Sequence, residues 1–233
     1  MPGPATTFRR ARSADHKEQR ARDLLEAARM LAAEQGVRTV TLTAIATRAG
    51  VHVSAVRRYF DSREDILLTL AGEGWREWAG RVAVSVQPGP SGPVGPAEAL
   101  AATLAELPLF CDLLAHVPLT LEREAPVESV RSFTVIVLAA VESIAGALAD
   151  VGDGLDRSRA RELVRATALL AGSLWQAAQP TREVAGLFRD DPRLAPAAVE
   201  FRPQLERLVR ALALGLPLQD RGPTVSDGDP ARG

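Results

Sequence analysis

Between Thr41 and Phe60 the chain reads TLTAIATRAGVHVSAVRRYF, and the residues it leaves outward suit hydrogen bonding to phosphates and base edges. Ile45, Ala46 and Ala49 fall at helical spacing and close one face. Gly50 can take the left-handed backbone that stops a helix, and Val51 then serves as the apolar plug of a turn. Val56 and Phe60 repeat the i, i+4 stripe on a second short helix. That arrangement exposes His52, Val53, Ser54, Arg57, Arg58 and Tyr59. Thr41 is placed to cap the preceding helix through its hydroxyl. Two helices joined by a tight Gly turn can seat the second in the major groove of DNA.

Other chemistries have less to build on. Three histidines, His16, His52 and His116, lie far apart in the chain, and no Gly-rich phosphate loop, catalytic carboxylate pair or nucleophile elbow accompanies them. No catalytic residue, no metal-ligand spacing and no cofactor motif is therefore predicted, and a helical enzyme is the weakest of the alternatives. The single cysteine, Cys111, cannot form an internal disulfide, which fits a reducing cytoplasm. A thiol-based redox sensor using Cys111 is the alternative to a ligand-responsive regulator.

The run from Arg22 to Leu67 resembles the DNA-binding domain of TetR-type transcriptional repressors. It carries a first helix, RDLLEAARMLAAEQG, then T-x-T-x-x-I-A-x-x-A-G-V, then V-R-R-Y-F and D-S-R-E-D-I-L. The resemblance implies DNA contacts from Thr41, Thr43, His52, Val53, Ser54, Arg57, Arg58, Tyr59 and Arg63, with Tyr59 and Arg63 at positions of phosphate clamps. Arg63 stands where Lys is more usual and keeps the charge. Two positions depart from the pattern: His52 replaces a usual Ser, and Arg57 replaces a Tyr that commonly holds a phosphate. Arg57 could still reach one as a longer cation. His52 could cap the helix through its ring, touch a phosphate or base, or sit in water.

Charge is segregated along the chain. Residues 1–66 hold twelve Lys or Arg against eight Asp or Glu, an excess of four, whereas the whole chain has net charge −1, so the remainder stands at −5. Arg9, Arg10, Arg12, Lys17, Arg20 and Arg22 precede or open the first helix. Such an arm can track phosphates or enter a minor groove, or it can be a solubilising terminus. At 233 residues with 46% hydrophobic content, the chain can build a small helical head and a larger body with its own core. The longest apolar run, Val135 to Val141, stops at Glu142, so no membrane span is predicted, and the polar, basic start gives no export signal.

The body reads as helices only, giving an all-α fold: an N-terminal three-helix DNA-binding domain with a helix-turn-helix, followed by a larger helical ligand-binding and dimerisation bundle. The expected boundaries are a flexible basic arm at 1–16, the DNA-binding domain at 17–77 with its helix-turn-helix at 41–60, the bundle at 78–216 and a disordered tail at 217–233. A connecting helix is predicted from Ile66 to Val86, with Leu67, Leu70, Gly74, Trp75, Trp78 and Val82 facing inward. QPGPSGPVGP, Gln87 to Pro96, breaks it. Short helices follow over 97–107 and 109–115, the second ending before Pro118. The most apolar helix centres on Val130 to Leu148 and is predicted to lie inside the bundle, with partners at 159–179 and 197–214. Ala168, Ala171 and Gly172 permit close helix approach there.

A single head touches one half-site, so two-fold pairing is the economical reason for a large body. In TetR-like proteins the last two long helices form an intersubunit bundle, and the resemblance implies a homodimer through Leu170, Leu174, Phe201, Leu205, Leu208 and Leu212. It also implies a cavity for an unknown small-molecule effector, for which Trp75, Trp78, Phe110, Cys111, His116, Phe133 and Trp175 are the candidate lining residues. Glu142 and Gln176 are further polar candidates. The expected partners are thus an operator duplex, the effector and a second copy of the chain, with effector binding relieving repression. An activator would share all these residues.

Overall fold

The computed structural model describes residues 4–87, 94–151 and 155–215, with side chains from His16 onward, and every regular element in that span is helical. The tail at 217–233 and most of the Pro/Gly cluster lie outside the described residues. Helix α1 runs Pro4–Gln35, so the basic segment anticipated as a flexible arm instead continues the first helix. Its Ala, Arg, Glu and Gln content, with no Gly or Pro after Pro4, favours that continuation. Gly36 ends it at φ 84°, and a 3₁₀ turn, Val37–Thr39, leads into α2, Leu42–Arg48. The recognition helix α3 is one turn, Val53–Val56, and α4 spans Arg63–Ser85.

The head closes around Leu24, Ala28, Leu31, Val37, Val40, Ile45, Val56, Ile66 and Leu67, all buried. Full burial of a Val, Leu or Ile contributes roughly 1.5–3 kcal/mol, so this cluster is what fixes α2 and α3 against α1 and α4. Arg48 grips Glu34 through two hydrogen bonds of 2.6 Å, tying α2 to α1, and Arg29 donates to Glu73 at 2.8 Å, tying α1 to α4. Burial by itself would lower the Arg29 pKa, but its bonds to Glu73 and Glu26 more than offset that and raise it.

The body is built on the predicted inner stripe of α4, which is buried from Leu67 to Val82. Phe110 lies over Gly74 so closely that a Cβ there would sit 2.3 Å from its ring. Only glycine permits the approach. Trp75, Trp78 and Phe110 pack ring against ring with centroids 5.3–6.1 Å apart. Trp78, fully buried, donates its indole N–H to Thr103 Oγ1 at 3.1 Å.

Helices α5, Pro96–Ala105, and α6, Pro108–His116, each begin at a proline, where the missing N–H costs nothing. Helix α6 ends before Pro118 as expected, but the chain stays helical beyond it. The chain widens into a π-helical turn, Val117–Leu121, which accommodates the ring, and continues as α7, Glu122–Glu124. Helix α8, Val127–Asp150, packs along α4 and along α9, Arg157–Ala178. Although its longest unbroken apolar run is short, α8 over Val127–Ala149 has mean hydropathy 1.9 and passes the length and composition test for a span. That composition belongs here to a central bundle helix, but one face stays open: Val127, Val135 and Leu138 are exposed.

A short helix, α10, Arg182–Asp190, was not anticipated. Thr181 caps it by accepting from the Val184 N–H, and Val184, Leu187 and Phe188 share one side at i, i+3, i+4. The last helix, α11, starts at Phe201 rather than 197 and runs to Gly215, packing on α5 and α9.

Candidate nucleic-acid interface and effector cavity

The turn between α2 and α3 is a Schellman motif. The Val51 N–H donates to the Ala46 carbonyl at 2.9 Å and the Gly50 N–H to Thr47 at 3.2 Å, with Gly50 at φ 66°. Both ends of the unit are capped by side chains. Thr41 Oγ1 accepts from the Ala44 N–H at 3.1 Å, and His52 Nδ1 accepts from the Ser54 N–H at 3.3 Å and lies 2.8 Å from Ser54 Oγ. Of the roles open to His52, the cap is present here. The residue as a whole remains exposed.

The rest of the face is open. Thr43, Ser54, Arg57 and Arg58 are exposed, while Val53 and Tyr59 are half-buried at its edges. Base edges lie nearest the start of a recognition helix. Exchanging Val53 or Ser54 should therefore change preference at a few base pairs by about 1–3 kcal/mol each. Competition binding against a panel of operator variants would check this; an equal loss on every sequence would contradict it.

Arg63 is turned differently from its neighbours on this face. Its Nε donates to the Val40 carbonyl and its Nη2 to the Val37 carbonyl at 2.8 Å, and Nη1 pairs with Glu64 at 3.0 Å. The guanidinium is turned inward onto the 3₁₀ turn, where it joins the start of α4 to the entry of α2. In this arrangement it is a brace for the head.

Between α4, α6, α8 and α9 lies a cavity of about 320 Å³, within the size of small-molecule sites. Trp75, Leu114, Val117, Phe133, Val137 and Leu169 make its walls apolar, and Glu122, Thr134 and Arg165 supply polar atoms. Neither the Glu122 carboxylate nor the Arg165 guanidinium has a hydrogen-bond or ion-pair partner among the described residues. Of the candidate lining residues, Trp75 and Phe133 line this cavity, and the other five do not. Trp78 and Phe110 are consumed in core packing, and Trp175 stands edge-on to Phe201 at 5.2 Å. Glu142 is held by Arg157 and Arg161 instead. A larger cleft, about 910 Å³, runs between α4 and α8 past Glu142, Asp150 and Arg157, but lacks comparable aromatic walls.

Cys111 is fully buried, with its thiol donating to the Leu104 carbonyl at 3.3 Å. Burial first, and the neighbouring Asp112 charge second, push its pKa up to about 12. Such a thiol carries almost no thiolate at neutral pH and is out of reach of solvent oxidants. The redox-sensor alternative is not supported.

His116 leads to a connection that sequence reasoning missed. Its Nε2 lies 3.5 Å from Asp112, a carboxylate on α6 that also accepts from the Val37 N–H of the head at 2.8 Å and from Gln176 of α9 at 2.7 Å. Asp112 thus joins the 3₁₀ turn below α2 to two helices that wall the cavity. Burial would raise its pKa, but the bonds from His116, Val37 and Gln176 outweigh it and hold the carboxyl below its ordinary value. A depressed carboxyl stabilises the fold above its unfolded pKa of ~3.9, and that contribution is lost as pH falls through the lower folded value.

One expected dimer residue is also corrected. Leu205 is fully buried within its own subunit on the side of α11 that packs inward, so it cannot face a partner. Leu170, Leu174, Phe201 and Leu208 are half-buried and Leu212 is exposed.

Residues 24–70 match the family model for bacterial regulatory proteins of the tetR family, and residues 73–220 match that for the tetracyclin repressor-like C-terminal domain. No match is found among curated proteins. Among solved structures, FadR of Thermus thermophilus, a TetR family transcriptional repressor in complex with lauroyl-CoA, is 18% identical with a TM-score of 0.53, covering 91% of this chain and 99% of that one. FadR from Bacillus halodurans, a fatty acid degradation regulator, is 15% identical at TM-score 0.51, over 87% and 96% of the two chains. A possible TetR family transcriptional regulator from Streptomyces coelicolor A3(2) is 22% identical at 0.51, over 85% and 98%. These three share the fold, and the two family models between them span the head and the body: the chain belongs to the TetR family of transcriptional regulators.

Proposed function

We propose that the protein is a repressor that binds an inverted-repeat operator as a homodimer and is released when a small molecule fills the cavity between α4, α6, α8 and α9. The observation that carries this reading is the link through Asp112, which bonds the head at Val37 and the cavity-bearing body at Gln176 with one carboxylate. A ligand that shifts α6 must strain or release the head, and by linkage the operator must affect ligand affinity by the same factor. The effector is mainly apolar, to match walls of Trp75, Phe133, Leu114 and Val137, and carries a polar group that meets Glu122 or Arg165. The half-buried and exposed apolar residues Leu170, Leu174, Phe201, Leu208 and Leu212 on α9 and α11 are the proposed dimer surface.

Tryptophan fluorescence under a ligand screen tests the reading, because Trp75 lines the cavity. A compound that changes the emission should weaken operator binding by about 5- to 150-fold. In Asp112→Ala the same compound should still change the emission, with most of the operator effect gone. A compound that fills the wild-type cavity and leaves operator affinity unchanged would refute the coupling.

A further inference from the structure

The cavity between α4, α6, α8 and α9 changes character from floor to rim. Trp75, Leu114, Val117, Phe133 and Ala168 are buried and make an apolar floor with two aromatic rings. Glu122, Thr134, Arg165 and Leu169 are exposed and form the rim. That rim carries both signs of charge on different elements, a carboxylate on α7 and a guanidinium on α9. Thr134 Oγ1 commits its proton to the Val130 carbonyl at 2.8 Å, which leaves the oxygen an acceptor. A ligand's cationic group thus finds two acceptors, Glu122 and Thr134, and its anionic group finds the planar donor fork of Arg165.

We infer that the effector is a free amino acid with an apolar side chain, which lies on the floor while its ammonium and carboxylate stay at the rim. The inference rests on the reading of this cavity as the effector site and narrows it to one chemical class. Charge decides the head group. A cation drawn to Glu122 is disfavoured by Arg165, and an anion drawn to Arg165 is disfavoured by Glu122, whereas a zwitterion draws on both. Size decides the body. A volume of about 320 Å³ has room for on the order of ten groups the size of a water molecule, at ~30 Å³ each. An isobutyl, benzyl or indolylmethyl side chain fits that space, and a long acyl chain does not. A peptide is disfavoured as well, because either of its ends presents only one of the two charges beside an apolar side chain.

The test titrates the full chain at neutral pH with L-leucine, L-phenylalanine and L-tryptophan, and with two compounds that each keep one charge, 2-phenylethylamine and 3-phenylpropionate. Calorimetry and tryptophan emission read the binding. L-Phenylalanine should bind on the order of tenfold more tightly than either single-charge compound. Glu122→Gln should abolish its advantage over 3-phenylpropionate and keep its advantage over 2-phenylethylamine, and Arg165→Gln should do the reverse. Both residues are exposed, so both variants should fold as wild type does. A single-charge compound that binds wild type as tightly as L-phenylalanine would overturn the proposal. So would a Glu122→Gln or Arg165→Gln protein that weakens all three phenyl compounds equally, since the rim would then act only on the shape of the cavity. Failure of all three amino acids to bind, while some other compound fills the cavity and releases operator, would overturn the ligand class and leave the release reading standing. L-Phenylalanine that binds with both charge preferences yet leaves operator affinity unchanged would uphold the ligand class, and the release reading would fail instead.

Discussion

Replacing Arg63 by Ala should destabilise the head by about 3 kcal/mol, since its hydrogen bonds to the Val40, Val37 and Arg38 carbonyls are lost and the two shorter, to Val40 and Val37, contribute ~1.5–3 kcal/mol each. The acceptors at Val37 and Val40 belong to residues that are themselves buried, so water is poorly placed to replace the guanidinium. The Val37 carbonyl matters doubly, because the same residue's N–H is the head's bond to Asp112. Thermal unfolding followed by circular dichroism should show an earlier loss of the head. Operator affinity should fall in proportion to the unfolded fraction, while the salt slope of the folded population stays as in wild type. A slope reduced by about one with unchanged stability would instead make Arg63 a phosphate contact.

Gly172→Val carries the other large effect. A Cβ at this position would lie 2.7 Å from the Ala115 nitrogen and 2.9 Å from the Leu114 carbonyl carbon, both backbone atoms of α6 that cannot swing aside. Alanine would gain about 1 kcal/mol of helix propensity over glycine, yet its clash with α6 is the same. Valine adds branched bulk to that contact and should cost about 3 kcal/mol or more, near the upper end of overpacking effects. Leu114 lines the cavity and Asp112 lies on the same helix, so ligand response should fail along with stability. Chemical denaturation would measure the first and the fluorescence screen the second. A Gly172→Val protein as stable as wild type would mean that α6 and α9 do not approach this closely.

What the residues reveal about this fold depends on how local the deciding contact is. The turn at Gly50 and Val51 and the Thr41 cap are closed by residues within five positions of one another, so spacing alone announces them. The inner face of α4 is equally plain, because a 23-residue helix shows its stripe many times over. The inward turn of Arg63 is not legible in the sequence, because its acceptors lie 23 and 26 residues away and nothing local says which way a long cation turns. Leu205 looked like any other apolar residue on an amphipathic helix until the position of α5 showed which side was already covered. The aromatic residues were legible as core, but only the packing separates Trp75 and Phe133 at the cavity from Trp78 and Phe110 in the filling around it.

Asp112 left a signal that could have been used. It is the lone carboxylate in the apolar helix PLFCDLLAH, and a charge in such a place needs partners. Which partners it has could not be read from the chain, since Val37 and Gln176 stand 75 and 64 residues away. Helix α10 is short enough that its apolar stripe completes only one repeat, too little to announce it.

The central claim is that two heads, held together by the body, read one inverted repeat. Titrating purified protein into the intergenic duplex beside its own gene, with analytical ultracentrifugation of the mixture across a range of salt, measures it most directly. The account gives two subunits on each duplex and an affinity that falls steeply with salt. A protein that sediments as a monomer and shows no salt-sensitive affinity for that duplex would contradict it.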